Sequence, residues 1–277
     1  MDGGPTTPRE RHWRRWARHL RVWRRFVIMA FVREAAYHAH FVVGRLDGIA
    51  QLALAVTVFL LVYRYTDAVA GWSRDEALLL TGIYRIVEGL IALQIAPNMR
   101  AIAGYIRRGE LDFYLLRPVS SQFLVSLRRL QPDELGNVLV GLGLAVYAGN
   151  AAGVRWGAAG LVEAAAFLLR GLVLLYALWF ATVTLAFWLV QVDTLDLLFY
   201  SLFETARYPV SYFAAAGPRG PHLRYPGRLR HDLPGAGPPC GAERRLLPLG
   251  ILLAAGALLG SRAFWNAAVR HYGSASS

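Results

Sequence analysis

The chain has 277 residues, of which 56% are hydrophobic and 17% are charged. A soluble globular domain is about half apolar and about a quarter charged, so this balance indicates an integral membrane protein. Thirty basic residues against 18 acidic ones give a formal net charge of +12, and every basic residue is an arginine. Because the sequence contains no lysine, it excludes the P-loop of an ATPase and the Schiff base of a pyridoxal-phosphate enzyme.

The excess of arginine favours positively charged membrane loops over nucleic-acid binding, because it accompanies long apolar stretches. We therefore expect a lipid membrane and no nucleic acid among the partners. The single cysteine, Cys240, excludes an internal disulfide and a zinc site built on cysteines. The N-terminus is too rich in arginine for a cleavable signal peptide.

The first predicted element is an amphipathic helix within residues 12–40. Aromatic and aliphatic side chains recur at helical spacing on one face, at Trp13, Trp16, Leu20, Trp23 and Val27. Arginines crowd the other positions, at Arg14, Arg15, Arg18, Arg21 and Arg25. Tryptophan on one face and arginine on the other are typical of a helix that lies in the membrane interface.

Five apolar stretches are candidates for crossing a bilayer. They are residues 46–63, 77–96, 135–153, 164–190 and 246–265. Ten arginines lie in the first 45 residues and six in the connection 98–132, whereas the connections near Asp67 and Arg155 are short and almost uncharged. The positive-inside rule therefore places the N-terminus and residues 98–132 in the cytoplasm.

Residues 216–245 break this pattern, because proline, glycine and arginine dominate and no helical or strand period survives. If they form a loop, five spans leave Arg262 and Arg270 outside the cell. We interpret residues 216–243 as frame-shifted. Codons permitted for residues 224–240, read one nucleotide later, can encode AIPVAFATTFPAQALLA. With the stretch before it, this string makes an apolar helix of about 23 residues and a sixth span.

Ionisable residues within the apolar stretches are costly and usually face a bundle interior or a water-filled cavity. Arg85 and Glu88 lie three positions apart, so they can pair along one helix face. They can line a substrate path, lock a dimer interface or form a structural pair. Arg170 is alone in its span, and Glu204 and Arg207 form a second three-step pair at the inner interface.

The connection between the second and third spans contains the run IRRGELDFYLLRP at residues 106–118. We expect Gly109 to end a helix in a left-handed turn, with arginines in the last turn beside the helix dipole. We also expect Ser120 or Ser121 to cap a short helix through Leu130. The predicted charged knob consists of Arg107, Arg108, Gly109, Glu110, Leu111, Asp112, Arg117 and Pro118. Its alternative interpretation is a solvated loop.

Together with ETARYPVSYF at residues 204–213, this run resembles the membrane subunits of ABC-2-type transporters. The resemblance implies one all-α membrane permease domain over residues 1–277, with six transmembrane helices. It implies a multi-pass protein of the bacterial inner membrane, an exporter that pairs with a second permease copy or a paralogue. A cytoplasmic ABC ATPase would bind ATP and Mg, and the knob would couple to it. The competing class is a membrane enzyme or scaffold without an ATPase.

Catalytic and metal sites find little support in the sequence. His38 and His40 form an HAH pair, but no nearby cysteine or carboxylate completes a metal shell. The remaining histidines form no recognisable constellation with serine or aspartate. We therefore expect no catalytic residue, no metal and no cofactor in this chain.

Overall fold

The structure, a computed structural model, describes residues 8–36, 50, 53–54, 56–66, 68–69, 72–189, 201 and 241–272. Within these residues it is mostly helical, with one short antiparallel ribbon. The elements are α1 Pro8–Ala36, β1 Ala68–Val69, β2 Trp72–Ser73, α2 Arg74–Leu90, α3 Ala96–Arg107, α4 Asp112–Leu115, α5 Ser121–Leu127, α6 Leu135–Ala151, α7 Ala158–Thr184 and α8 Gly241–Arg270. Residues 56–64 are also helical. The predicted helical class is confirmed.

Among the described residues, three helical stretches are long and apolar enough to cross a membrane: Arg74–Arg107, Ala158–Phe187 and Pro248–Arg270. They correspond to the second, fourth and fifth stretches predicted from the sequence. The third stretch forms α6, which has 17 residues. The first stretch and the segment 216–243 lie partly or wholly outside the described residues.

The second predicted span is longer than expected, because the helix runs from Arg74 to Arg107 through a π-helical turn at Ile91–Ile95. A capping box starts it: the Ser73 hydroxyl accepts from the Glu76 amide, and the Glu76 carboxylate accepts from the Ser73 amide at 2.9 Å. Pro97 lies in the first turn of α3. The helix therefore extends beyond both ends of the predicted span 77–96, and the π turn accommodates Pro97 within it.

α2 and α6 pack antiparallel at very short range, through small residues. A Cβ atom added to Gly82 would lie 2.6 Å from the Ala145 amide nitrogen. One added to Gly141 would lie 2.8 Å from the Ile86 amide nitrogen. This contact therefore needs glycine, as in other close helix pairs of membrane proteins.

α7 and α8 pack side by side in the same direction. Gly250 lies against the stem of Arg170. Further along both helices, the rings of Phe180 and Trp265 are 5.1 Å apart. Past the end of α7, the ring of Phe187 lies 5.6 Å from that of Tyr272. Because the contacting positions rise together, the two helices are parallel and end at the same end of the bundle.

The largest buried cluster lies at that end, which we call the packed end: the C-terminal ends of α3, α7 and α8 together with the segment 108–134. Its fully buried side chains include Met99, Ile102, Leu111, Val125, Phe180 and Trp265. The Trp265 indole donates to the Ser121 hydroxyl at 3.0 Å, which ties α8 to α5. The N-terminal stretches of α7 and α8 instead expose leucines, as a lipid-facing surface requires.

The α2–α6 contact predicts unequal effects for two glycines of α6. Gly141→Ala should lower the free energy of unfolding by about 1–3 kcal/mol, because the added methyl group forces the two backbones apart. Gly143→Ala is the matched control, since a Cβ atom there meets nothing within 4 Å. Unfolding by SDS titration in mixed micelles, followed by tryptophan fluorescence, measures both. Equal stabilities of the two variants would contradict the close contact.

Candidate functional site

The candidate site is the segment 108–134 at the packed end. Gly109 adopts a φ of 68°, so it ends α3 in the left-handed turn that the sequence predicts. Behind this turn the Leu111 amide donates to the Tyr105 carbonyl at 3.2 Å. Leu111 is fully buried, so it anchors the turn rather than presenting a surface to a partner.

The tip of the segment, residues 108–118, carries an exposed ion pair. Arg108 Nε donates to Glu110 Oε1 at 2.5 Å. This hydrogen bond and the opposite charge lower the pKa of Glu110 and raise the pKa of Arg108. A pair so exposed contributes little stability. It orients Glu110, while Arg107, Arg117 and Pro118 are also exposed around it.

Two apolar side chains of the tip escaped the sequence analysis. Phe113 is 70% exposed and Leu116 is 83% exposed. Leu111, Tyr114 and Leu115 point inward at steps of three and four residues. The remaining face of the short helix α4 therefore presents Phe113 and Leu116 outward. The sequence does contain a signal for these two side chains, because helical periodicity applied to DFYLL at residues 112–116 places them on one face.

Asp112 is not fully exposed at the tip but lies against the body of the protein. It is partly buried beside Tyr272, which follows α8. Burial, and then the negative charge of Asp112, raise the pKa of Tyr272. Asp112 therefore links the tip to the end of α8.

Two arginines that follow α5 tie the segment together, one through α4 and the other through the end of α3. Arg128 donates to the Tyr114 hydroxyl, and Arg129 Nε donates to the Tyr105 hydroxyl at 3.1 Å. The two tyrosine rings are 4.9 Å apart. Burial, and then the neighbouring Tyr105, raise the pKa of Tyr114 to about 12. The tyrosine therefore stays protonated at neutral pH.

Asn98 joins the segment to the π-helical turn, and the sequence analysis did not identify it. Its Nδ2 donates to the Gln94 carbonyl at 2.6 Å and to the Arg129 carbonyl at 2.7 Å, and its Oδ1 accepts from the Arg129 amide at 2.8 Å. Gln94 Nε2 donates to the carbonyls of Ser126 and Arg129, each at 3.3 Å. Asn98 is 1% exposed, so these partners satisfy a buried amide.

The short helix after the tip begins as predicted but is capped differently. α5 starts at Ser121, yet within the described residues the Ser120 side chain makes no capping hydrogen bond. The Ser121 hydroxyl accepts from Trp265 instead. The helix ends at Leu127 rather than at Leu130, because the Arg129 backbone pairs with Asn98. The predicted capping role of these serines is therefore wrong.

The intramembrane pair predicted in the second span forms. Arg85 Nη1 lies 2.9 Å from Glu88 Oε2, and both side chains are mostly buried. A Cβ atom on Gly141 would lie 3.0 Å from the Arg85 Cβ atom, so the pair adjoins the α2–α6 contact. This position agrees with the structural interpretation of the pair.

Of the other predicted intramembrane residues, one is described by the structure and two are not. The Arg170 guanidinium carbon lies 5.8 Å from the centroid of the Phe167 ring, within the membrane-spanning part of α7. Glu204 and Arg207 lie outside the described residues, as do His38 and His40. Among the residues that the structure describes, no group of three or more histidine, cysteine or acidic side chains is arranged to hold a metal.

These observations define a multi-pass helical membrane protein with a compact, partly charged tip at one end. A profile described as ABC-2 family transporter protein matches residues 49–219, more than half of the sequence. The chain belongs to this family, and membership implies a membrane permease subunit of an ABC transporter. Searches of curated proteins and of solved structures gave no match. The family match ends just inside the proline- and arginine-rich segment 216–245.

Asn98 gives a sharp test of how the segment is held. Asn98→Ala should lower the free energy of unfolding by about 3 kcal/mol, because it leaves buried backbone groups without partners. Trypsin should also cleave faster after Arg128 and Arg129. Asn137→Ala, which removes a single hydrogen bond to Glu134, is the control. If the two variants have the same free energy of unfolding and the same rate of cleavage, the Asn98 contacts do not hold the segment.

Proposed function

We propose that this chain is the permease half of an ATP-driven exporter whose ATPase is a separate cytoplasmic protein. ATP and Mg would bind to that partner, and this chain would supply the transmembrane path. Family membership carries the transport role. The exposed tip Phe113 and Leu116, bordered by Arg107, Arg108 and Glu110, supports the partner.

The length of the second span separates this tip from the lipid. The helix Arg74–Arg107 has 34 residues. At 1.5 Å per residue it is about 51 Å long, against about 30 Å for the hydrocarbon core. For a core that begins at Arg74, about 21 Å of the helix, or nearly four turns, extend beyond it. Phe113 and Leu116 follow these turns outside the hydrocarbon core, and an exposed apolar pair at that place fits a protein partner.

The hydrogen bonds behind the tip give it a mechanical connection to the membrane. Tyr114 contacts Arg128, the neighbouring Arg129 is bound by Asn98, and Asn98 lies directly after the π-helical turn. In our proposal, closure of the ATPases pushes the tip, and the segment moves as one body. The π turn is where the inner part of the helix would bend against the outer part, since helices kink at π turns and such turns are frequent at functional sites.

The parallel arrangement of α7 and α8 supports six spans. Both helices end at the packed end, and in our proposal the chain between Phe187 and Pro248 crosses to the opposite end once more. With the arginine distribution, six spans place both termini and the segment 108–134 in the cytoplasm. A second permease, identical or paralogous, would face this one across the transport path. Reading residues 216–243 as frame-shifted supplies the sixth span.

Partner capture tests the tip. Full-length protein tagged at its C-terminus and extracted from native membranes in mild detergent should retain a stoichiometric protein that carries a P-loop. Phe113→Ser with Leu116→Ser should reduce that retention about tenfold or more, because buried apolar contacts at the centre of an interface dominate its affinity. Both side chains are exposed, so the variant should elute as a folded, monodisperse species.

Tyr65→Ser, which replaces a side chain 82% exposed near the other end, is the control and should retain the partner. A folded wild-type protein that repeatedly carries no ATPase would instead favour a membrane enzyme or scaffold. Retention that is equal in all three proteins would remove Phe113 and Leu116 from the docking surface.

Cysteine labelling tests the topology. In a chain with Cys240→Ser, three exposed positions serve as reporters: Ser120, Ala152 and His271. Six spans predict that Ala152→Cys reacts with a membrane-impermeant maleimide in intact cells, whereas Ser120→Cys and His271→Cys react only after the cells are opened. Labelling of His271→Cys in intact cells would support five spans. Resequencing the codons for residues 213–246 tests the frame directly.

A further inference from the structure

The N-terminal helix α1 lies along the segment 118–134. Arg18 Nη1 donates to the Pro118 carbonyl at 3.1 Å, and Arg33 Nη2 donates to the Leu130 carbonyl at 3.1 Å. Between these two anchors one face of the helix packs on the body. The side chains of that face are His19, Val22, Phe26 and Ala30. These contacts fix which face of α1 packs on the body, so its remaining faces point away from it.

The contact with Leu130 also fixes the depth of α1 in the membrane. The next residue, Gln131, donates its amide to the Leu93 carbonyl at 3.0 Å. Leu93 lies nineteen residues after Arg74, which is about 29 Å along the helix at 1.5 Å per residue. The hydrocarbon core is about 30 Å thick. For a core that begins at Arg74, the Arg33 end of α1 is therefore anchored near the level where the helix Arg74–Arg107 leaves the hydrocarbon.

α1 exposes two kinds of side chain away from the body. Leu20 is 65% exposed, Trp23 is 40% exposed and Phe31 is 47% exposed. Exposed arginines follow on the adjoining face of the helix, at Arg21, Arg24 and Arg25. The whole helix Pro8–Ala36 carries nine arginines against two glutamates.

We propose that α1 binds the headgroups of anionic phospholipids in the leaflet at the packed end. The exposed apolar side chains insert between acyl chains, with Trp23 at the boundary, where its amphipathic ring is favoured. The guanidinium groups of Arg24 and Arg25 bind phosphate oxygens, for which their planar fork is suited. This proposal rests on membrane embedding alone and is independent of the ATPase.

The chemistry of the surface favours lipid over nucleic acid. A duplex would contact the arginines, but it would leave Leu20, Trp23 and Phe31 in water. A bilayer satisfies both flanks at once, and the anchor at Leu130 brings the Arg33 end of the helix close to the headgroup layer. Because both anchors hold the segment 118–134, the charge of the leaflet would also act on the segment that carries the tip.

The test uses the full chain, delipidated in neutral detergent and reconstituted into nanodiscs of mixed phosphatidylcholine and phosphatidylglycerol. Native mass spectrometry counts the lipids that stay bound after ejection. The wild-type protein should retain phosphatidylglycerol in preference to phosphatidylcholine. Arg24→Gln with Arg25→Gln should reduce that preference about tenfold, because each arginine near an anionic surface adds to the attraction. Raising the ionic strength should weaken the preference.

Two matched variants separate charge from folding. Arg24→Lys with Arg25→Lys keeps the charge and should keep most of the preference. Arg74→Gln with Arg155→Gln removes two exposed arginines from the opposite end and should leave it unchanged. If the Gln pair at 24 and 25 does not fold, Trp23→Ala replaces it and should reduce the retention of both lipids.

Three results would overturn the proposal. The first is that the Arg24→Gln, Arg25→Gln variant retains as much phosphatidylglycerol as the wild type. The second is that inorganic phosphate displaces the lipid at equal concentration, which would indicate a site for a free anion. The third is that a short DNA duplex binds the detergent-solubilised protein and competes with phosphatidylglycerol, which would make the arginine face a nucleic-acid surface.

Discussion

The architecture of the packed end depends on one missing hydrogen-bond donor. Pro97 has no amide hydrogen, so the helix cannot close its usual bond to the Leu93 carbonyl. The π-helical turn at Ile91–Ile95 accommodates the proline, and the Gln131 amide donates to Leu93 instead, at 3.0 Å. A local defect in a long helix thus becomes the attachment point for a segment more than thirty residues further along the chain.

Asn98 reinforces that attachment and makes the arrangement cooperative. Its amide is buried and pairs with the backbone of Arg129, so the segment cannot leave the helix without exposing several unsatisfied polar groups. From Arg129 the contacts continue to Tyr105 and, through Arg128, to Tyr114 beneath the tip. A push on Phe113 and Leu116 would therefore move a unit rather than a flexible loop.

The sequence predicts those features that local chemistry decides. Gly109 ends α3 because glycine tolerates the left-handed turn, and Arg85 pairs with Glu88 because the two lie on one helix face. It does not predict that the helix passes Pro97, because the compensating donor Gln131 is distant in sequence. The same reason explains why Ser121 binds Trp265 instead of capping α5. Phe113 and Leu116 are a different case, since their outward face is readable from helical spacing.

The proposed sixth crossing follows from contacts that no local pattern contains. A chain that ends two successive described helices at the same end of a bundle has to return between them. The contacts of Phe180 with Trp265 and of Phe187 with Tyr272 fix that direction for α7 and α8. Both helices are apolar along a length that spans a bilayer, and in the proposed topology the return crosses the same hydrocarbon. A crossing segment dominated by proline and arginine would place unpaired backbone groups and charged side chains in the hydrocarbon, which is costly in free energy. The arginine-rich composition and the parallel helices therefore conflict physically, and a corrected reading frame over residues 216–243 would remove the conflict while leaving every described contact in place.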